Sequence, residues 1–201
     1  MEMVDRALEN SDEKYVLVIE EINRGNPAQI FGELLTLIES SKRNSREAIK
    51  LCYPNSEGLH TPVYVPSNLY IIGTMNVADR SLALVDMAFR RRFAFINLEP
   101  NLNKTWKDYV VNKLHMDSSV ANYIQSEIVN LNSQIASDSR LGKDFQVGHS
   151  FFTPNESLKT KDSKKWFREV VESEIAPLLQ EYWFDSLEEA DKAVENLLTN
   201  L

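Results

Sequence analysis

Two acids close a short apolar run near the start of this chain, Val16-Leu-Val-Ile-Glu20-Glu21. The run is continuous and rich in β-branched residues, so it predicts a strand buried on both faces within a parallel sheet. In open parallel sheets, ligands bind beyond the carboxyl ends of the strands. A carboxylate there can hold Mg²⁺ through water, and its neighbour can orient or deprotonate an attacking water. The alternative is a pair of acids that only solubilises a strand end, and a motif this short has many false positives. A second cluster, Gly73-Thr-Met-Asn76-Val-Ala-Asp79-Arg80-Ser81, follows the apolar run Leu69-Tyr-Ile-Ile72. An amide such as Asn76 can hold a water beside a terminal phosphate without adding charge, whereas Asp79 and Ser81 serve equally as helix caps. The third cluster is Phe89-Arg90-Arg91-Arg92-Phe93. A helix C-terminus favours one cation by a few tenths to about 1 kcal/mol, which leaves the other two unexplained. Guanidinium groups at a subunit edge can reach a neighbour's phosphates, an effect worth about 10³–10⁵ in rate. Nucleic-acid backbone contact is the competing use. His149, within Phe145-Gln-Val-Gly-His-Ser-Phe-Phe152, reads first as a hydrogen-bonded structural residue, with nucleotide contact as the other use.

The elements that must position these residues change character near Pro100. Before it, strands and helices alternate. Tyr15–Ile19 and Leu69–Gly73 read as buried strands and Phe93–Leu98 as a third. Asn26-Pro27 starts a helix that carries Ile30, Phe31, Leu34, Leu35 and Ile38 at helical spacing. Ser81–Phe89 is a short helix with Leu82, Val85, Ala88 and Phe89 turned inward. Residues 43–67 are polar, and within them Ala48–Tyr53 and Thr61–Val65 pair as an exposed hairpin. Strand–helix–strand–helix–strand implies right-handed crossovers in a parallel sheet.

After Pro100 about four helices follow. One carries Trp106, Tyr109, Val110 and Leu114, and the next Val120, Ile124, Ile128, Leu131 and Ile135. A third runs from Trp166 to Phe184, kinked at Pro177, and the last opens on the capping box Ser186-Leu-Glu-Glu189. The tryptophans and tyrosines of this half sit at helical spacing, so core packing is their first role. The organisation is an α/β part over residues 1–100 and an all-helical part over 101–201.

Composition narrows the partners. The 201 residues carry 22 Lys plus Arg against 30 Asp plus Glu, a net charge of −8, which argues against coating nucleic acid by charge alone. At 43% apolar and 26% charged, the chain is too apolar to be disordered. No apolar run approaches the roughly 18 residues of a membrane span, and the acidic N-terminus is no secretory signal, so a cytoplasmic location is expected. One cysteine, Cys52, excludes an internal disulfide framework, and three scattered histidines make a zinc site improbable.

Taken together, Glu20-Glu-Ile-Asn-Arg-Gly-Asn26, Phe31-Gly-Glu-Leu-Leu35, Met75-Asn-Val-Ala-Asp-Arg-Ser-Leu82, Phe89-Arg-Arg-Arg-Phe93 and Val147-Gly-His-Ser-Phe-Phe152 resemble the AAA+ module of the McrB family. That family supplies the GTP-hydrolysing subunit of a restriction system that cuts DNA containing modified cytosine. The resemblance runs from about residue 5 to the C-terminus. It implies a partial AAA+ parallel sheet followed by a helical lid. Glu20 matches the metal-side position of the Walker B pair, and Glu21 the glutamate that polarises water. Asn76 matches the sensor asparagine, with Asp79 and Arg80 in the same signature. Arg91 and Arg92 match arginines that act across a subunit interface, Arg90 less closely, and Arg24 faces the same interface. Gly148, His149 and Ser150 would lie against the nucleotide. The implied cofactors are GTP or ATP with Mg²⁺. The implied partners are further copies in a ring, an McrC-like nuclease, and DNA bound through a separate N-terminal domain, with no membrane.

Three departures qualify this. The usual aspartate is Glu20, one methylene longer. The signature threonine is Val77, which removes a hydroxyl. No G-x-x-x-x-G-K-[ST] phosphate loop occurs in the chain. The chain is therefore expected to be the C-terminal part of a longer NTP-hydrolysing motor subunit, to bind no nucleotide tightly and to hydrolyse negligibly alone. Its exposed sheet edge predicts self-association or instability. A non-catalytic assembly module and a chaperone-like AAA+ ATPase acting on proteins are the alternatives.

Overall fold

The computed structural model describes residues 2–50, 52, 61–78, 87–158, 162–199 and 201. It divides into two compact units, Met1–Ile96 and Asn97–Leu201.

The first unit is built on two parallel strands, β1 (Tyr15–Ile19) and β4 (Leu69–Gly73), paired Tyr15 to Leu69 through Ile19 to Gly73. Helix α1 (Glu2–Glu9) packs Ala7 against Leu37, Val65 and Leu69, with Tyr15 and Leu17 beside them. The Asn68 side-chain amide donates to the carbonyls of Ala7, Asn10 and Glu13 and so satisfies the end of α1. Closer to the strand ends, Ile22, Leu35, Ile38 and Phe89 form a second cluster that Ile19 and Ile71 join.

These contacts use one face of the sheet. On the other, Val16, Val18, Tyr70 and Ile72 are about half exposed, so the expected burial on both faces is corrected to alternation. A strand's side chains point to opposite faces by turns, and the described elements of this unit cover only one of them.

Helix α2 (Pro27–Phe31) begins at the proline, as its ring geometry favours. The helix expected to continue to Ile38 is broken at Gly32, whose φ is 49°, and resumes as α3 (Leu34–Leu37). The break turns Ile30 outward, at 67% exposed, while Leu35, Leu37 and Ile38 stay buried. Strands β2 (Ile49–Lys50) and β3 (Pro62–Val63) pair antiparallel, Ile49 with Val63, inside the segment expected to form a hairpin. Residues 51 and 53–60 of that segment lie outside the described residues, as do 81–86 of the expected helix, of which α4 (Met87–Arg90) is described. Arg43 anchors the hairpin base by donating to the carbonyls of Pro66 and Leu69.

The third strand is also corrected. Residues 93–98 adopt no strand, and Ile96 and Leu98 are 82% and 92% exposed. Apolar content alone does not make a strand, because a strand's backbone groups need an edge to pair with. Among the described residues β1 and β4 pair only with each other.

The second unit is helical: α5 (Lys104–Asn112), α6 (Ser118–Ser137), α7 (Ser163–Val170), α8 (Ala176–Tyr182) and α9 (Leu187–Thr199). Asn103, Asp117 and Asp162 cap α5, α6 and α7 by accepting backbone N–H bonds in their first turns. The periodic set on α6, Val120, Ile124, Ile128, Leu131 and Ile135, is buried as its spacing requires, against Phe152, Phe167, Ile175, Leu179 and Leu197. Tyr109, grouped with the core residues of α5, is instead half exposed. The segment read as one helix kinked at Pro177 contains a π-turn, Val171–Ile175, between α7 and α8. Proline at the second residue of α8 has no N–H for the ladder, so the helix is rewound just before it. No helix among the described residues is long and apolar enough to cross a membrane.

Candidate functional site

The carboxyl ends of β1 and β4 lie side by side, and the pairing outlasts the strands. Thr74 N–H donates to the Ile19 carbonyl at 3.0 Å, and Ile22 N–H donates to the Thr74 carbonyl at 2.9 Å. Side chains continue the ladder. Glu21 N–H donates to Thr74 Oγ1 at 3.2 Å, and Asn23 Nδ2 donates to the Asn76 carbonyl at 3.2 Å. Ile22 packs on Gly73, where an added Cβ would come within 3.1 Å of the isoleucine. Glu20, Glu21 and Asn76 therefore share one end of the strand pair.

Glu21 has φ at 50°, in the left-handed region. Only glycine occupies that region freely, and a glutamate there costs on the order of 1 kcal/mol. After this residue Ile22 and Asn23 are buried, while Glu20 and Glu21 stay exposed. The Glu21 carboxylate pairs with Arg24 Nε, three residues on, and both side chains remain well exposed. Glu20 is exposed and has no side-chain partner among the described residues. Asn76 Oδ1 accepts from Ala78 N–H at 3.1 Å, an Asx-type turn that leaves the Nδ2 donors unengaged among the described residues. Asp79 and Arg80 lie outside the described residues.

The arginine triplet is divided. Arg92 is 13% exposed and bonds Glu39 of its own chain at 2.6 Å. Arg90 lies over the Phe95 ring, 5.4 Å from its centroid. Arg91 is exposed and carries no side-chain partner among the described residues.

In the helical unit, buried Asn132 receives Val147 N–H at 2.6 Å and donates to the Val147 carbonyl at 3.0 Å, which fixes the entry to Gly148-His149-Ser150. The Thr153 hydroxyl donates to the His149 carbonyl at 2.8 Å and accepts from Trp106 Nε1 at 3.0 Å. His149 Nδ1 accepts Asn101 N–H at 3.3 Å, which makes Nε2 the protonated nitrogen of the neutral ring. A groove of about 420 Å³ opens beside it, lined by Tyr109, His149, Ser150, Thr153, Pro154 and Asn155.

No cluster of three or more His, Cys, Asp and Glu side chains able to hold a metal occurs among the described residues. Mg²⁺ in phosphate-processing sites takes one or two carboxylates and completes its shell with water and phosphate, and an unpartnered, exposed Glu20 fits that demand. The sequence left Thr74, Asn23 and Asn132 unassigned. Each acts through a partner distant in sequence, and nothing in their local spacing marks them.

A parallel strand pair bearing acids and an asparagine at its carboxyl end, with a helical unit after it in the chain, fits an AAA-type α/β domain with a lid. Residues 1–93 match the AAA domain of the dynein-related subfamily, and residues 124–191 match the α-helical lid domain of McrB. The chain is 41% identical over 195 residues to the type IV methyl-directed restriction enzyme EcoKMcrB subunit of Escherichia coli (strain K12), covering 96% of this chain and 42% of that protein. It is 28% identical over 199 residues to the type II restriction enzyme BsuMI component YdiS of Bacillus subtilis (strain 168), covering 90% of this chain and 52% of that protein. Along both halves the chain is thus similar to McrB-type AAA+ proteins, and it spans about half the length of these relatives or less.

Proposed function

We propose that residues 1–201 form the C-terminal part of an AAA+ motor subunit that hydrolyses GTP, or ATP, to drive an McrC-like nuclease in restriction of modified-cytosine DNA. The relative from E. coli supports the restriction assignment, since its name is that of a methyl-directed restriction enzyme subunit. The observation that carries the hydrolytic reading is the ladder at the strand ends, which joins Glu21 to Thr74 and Asn23 to Asn76.

On this reading Glu20 would hold Mg²⁺. Glu21 accepts a proton from the attacking water once its carboxylate leaves Arg24, and Asn76 Nδ2 donates to the same water or to the terminal phosphate. The nucleotide with Mg²⁺ supplies the phosphoryl group and the charge that polarises it. Arg91 is the arginine offered to a neighbouring copy in a ring, because Arg92 is held by Glu39. Gly148, His149 and Ser150 serve the nucleotide from the lid, with His149 Nε2 as a donor. Residues 1–201 hold no G-x-x-x-x-G-K-[ST] phosphate loop, so on this reading they hydrolyse negligibly by themselves. The protein works in the cytoplasm and meets DNA through a separate domain.

Phosphate release from GTP and from ATP tests this, measured for the 201-residue chain and for the full-length protein that carries it. Activity is expected only in the latter, and Glu21→Gln should lower it by about 10² or more. Activity of the short chain that vanishes with Glu21→Gln overturns its inactivity. Full-length activity that survives Glu21→Gln overturns the assignment of the base.

A further inference from the structure

We infer that Asn23 is a positioning residue that holds the Asn76 segment in register with Glu21, an inference that rests on the hydrolytic reading of these strand ends. Asn23 is 4% exposed. Its Nδ2 donates to the Asn76 carbonyl at 3.2 Å, and its Oδ1 has no hydrogen-bond partner among the described residues. A buried amide with half its capacity unmet is poor value for stability, and an apolar residue of the same volume would fill the site without the desolvation cost. Such an orphaned group in a folded protein calls for a reason, and the bond it does make provides one.

The last backbone bond between the two strand ends, Ile22 N–H to the Thr74 carbonyl, lies one residue past the left-handed turn at Glu21. The Asn23 side chain supplies the next rung. Without it, among the described residues, the Asn76 backbone is tied to the Glu21 turn by the hydrogen bonds of Thr74, two residues earlier, and by the packing of Met75 against the Ile22 cluster. The Asn76 side chain is itself fixed relative to its own backbone by the bond to Ala78 N–H. Asn23 thus sets the backbone of Asn76, and the Asx turn sets its side chain. Asn23 touches no reacting atom and acts only through Asn76.

Asn23→Leu keeps the γ-branched shape and removes both the latch and the orphaned acceptor. Hydrogen exchange on the 201-residue chain should show Ala78 N–H exchanging about tenfold faster or more, with the melting temperature unchanged or raised. In the full-length protein with GTP and Mg²⁺, kcat should fall about tenfold or more while KM stays within about threefold. A purely structural role would lower the melting temperature and leave kcat per folded molecule alone. Exchange at Ala78 and kcat both unchanged in Asn23→Leu would overturn the latch. Should Asn23→Leu fail to fold, nuclear magnetic resonance of the wild-type chain decides the matter. The Asn23 side-chain amide protons are expected to exchange about tenfold slower than those of exposed asparagines, and equal rates overturn the proposal. Glu21→Gln run in parallel separates the two readings. If it abolishes turnover while Asn23→Leu leaves both kcat and exchange at Ala78 intact, only the latch fails. If Glu21→Gln has no effect, the hydrolytic reading fails, and exchange at Ala78 alone judges the latch.

Discussion

The Asn132 side chain and the Val147 backbone bond each other in both directions, with Val147 N–H on Oδ1 at 2.6 Å and Nδ2 on the Val147 carbonyl at 3.0 Å. An amide side chain here plays the part of a neighbouring strand. It satisfies two buried backbone groups at the point where the chain enters the Gly148-His149-Ser150 loop. Asn132→Ala leaves both groups unpaired, and each such orphan costs about 1–3 kcal/mol. Denaturant unfolding should show a loss of about 2–4 kcal/mol. A loss below about 0.5 kcal/mol would mean that the clamp contributes nothing to the lid.

Arg91 and Arg92 are adjacent in sequence and opposite in setting, the first exposed and the second held by Glu39. Arg92→Ala breaks a largely buried ion pair with Glu39 and should cost about 1–2 kcal/mol, less than a fully buried pair because Glu39 is partly solvated. Arg91→Ala should change stability by less than about 0.5 kcal/mol. In the assembled full-length protein it should cut hydrolysis about 10³-fold, within the range for an arginine supplied in trans. Thermal unfolding and GTP turnover on the two variants check this, and the reverse pattern would exchange the roles.

Glu21 holds a left-handed backbone that glycine would adopt without strain. Glu21→Gly should therefore raise stability by about 0.5–1 kcal/mol while abolishing hydrolysis. Gly32, with φ at 49° and open space around a built Cβ, provides the converse: Gly32→Ala should cost about 1 kcal/mol through the backbone alone. Melting curves of the two variants should move in opposite directions.

The lid carries an acid-sensitive clip. Arg140 bonds Asp138, Asp185 and Glu189, and Asp138 also accepts from Trp183 Nε1 at 2.8 Å. The bond from Arg140, then that from Trp183, hold the Asp138 carboxyl well below the usual carboxylate range. A carboxyl whose folded pKa is depressed contributes stability that is complete above its unfolded pKa, about 3.9, and is lost as pH falls towards the folded value. Melting temperature should decline below about pH 4 in the wild type. It should decline less steeply in Asp138→Asn, which starts lower at neutral pH. Parallel acid limbs would exclude Asp138 as the group responsible.

Where hydrophobic spacing was long and regular, it was enough. The α6 set from Val120 to Ile135 is buried as its period requires, and the caps Asn103, Asp117 and Asp162 follow from side-chain chemistry confined to one turn. Short elements were less legible. Residues 93–98 have strand composition and no strand, and Ile30 has helix-core spacing and an exposed side chain.

What residues 1–201 settled by themselves is local: which segments coil, where acids and amides follow apolar runs, and the signature strings shared with McrB-like proteins. The tertiary structure alone decided that Asn23 meets Asn76 across 53 positions and that Arg92 turns inward to Glu39 while Arg91 does not. It also decided that the β1–β4 pair is covered on one face. Side-chain periodicity is set by the nearest few peptide units and is written in the sequence. Pairing between distant segments depends on which groups the folded backbone brings within about 3 Å of one another, and no local pattern encodes that distance.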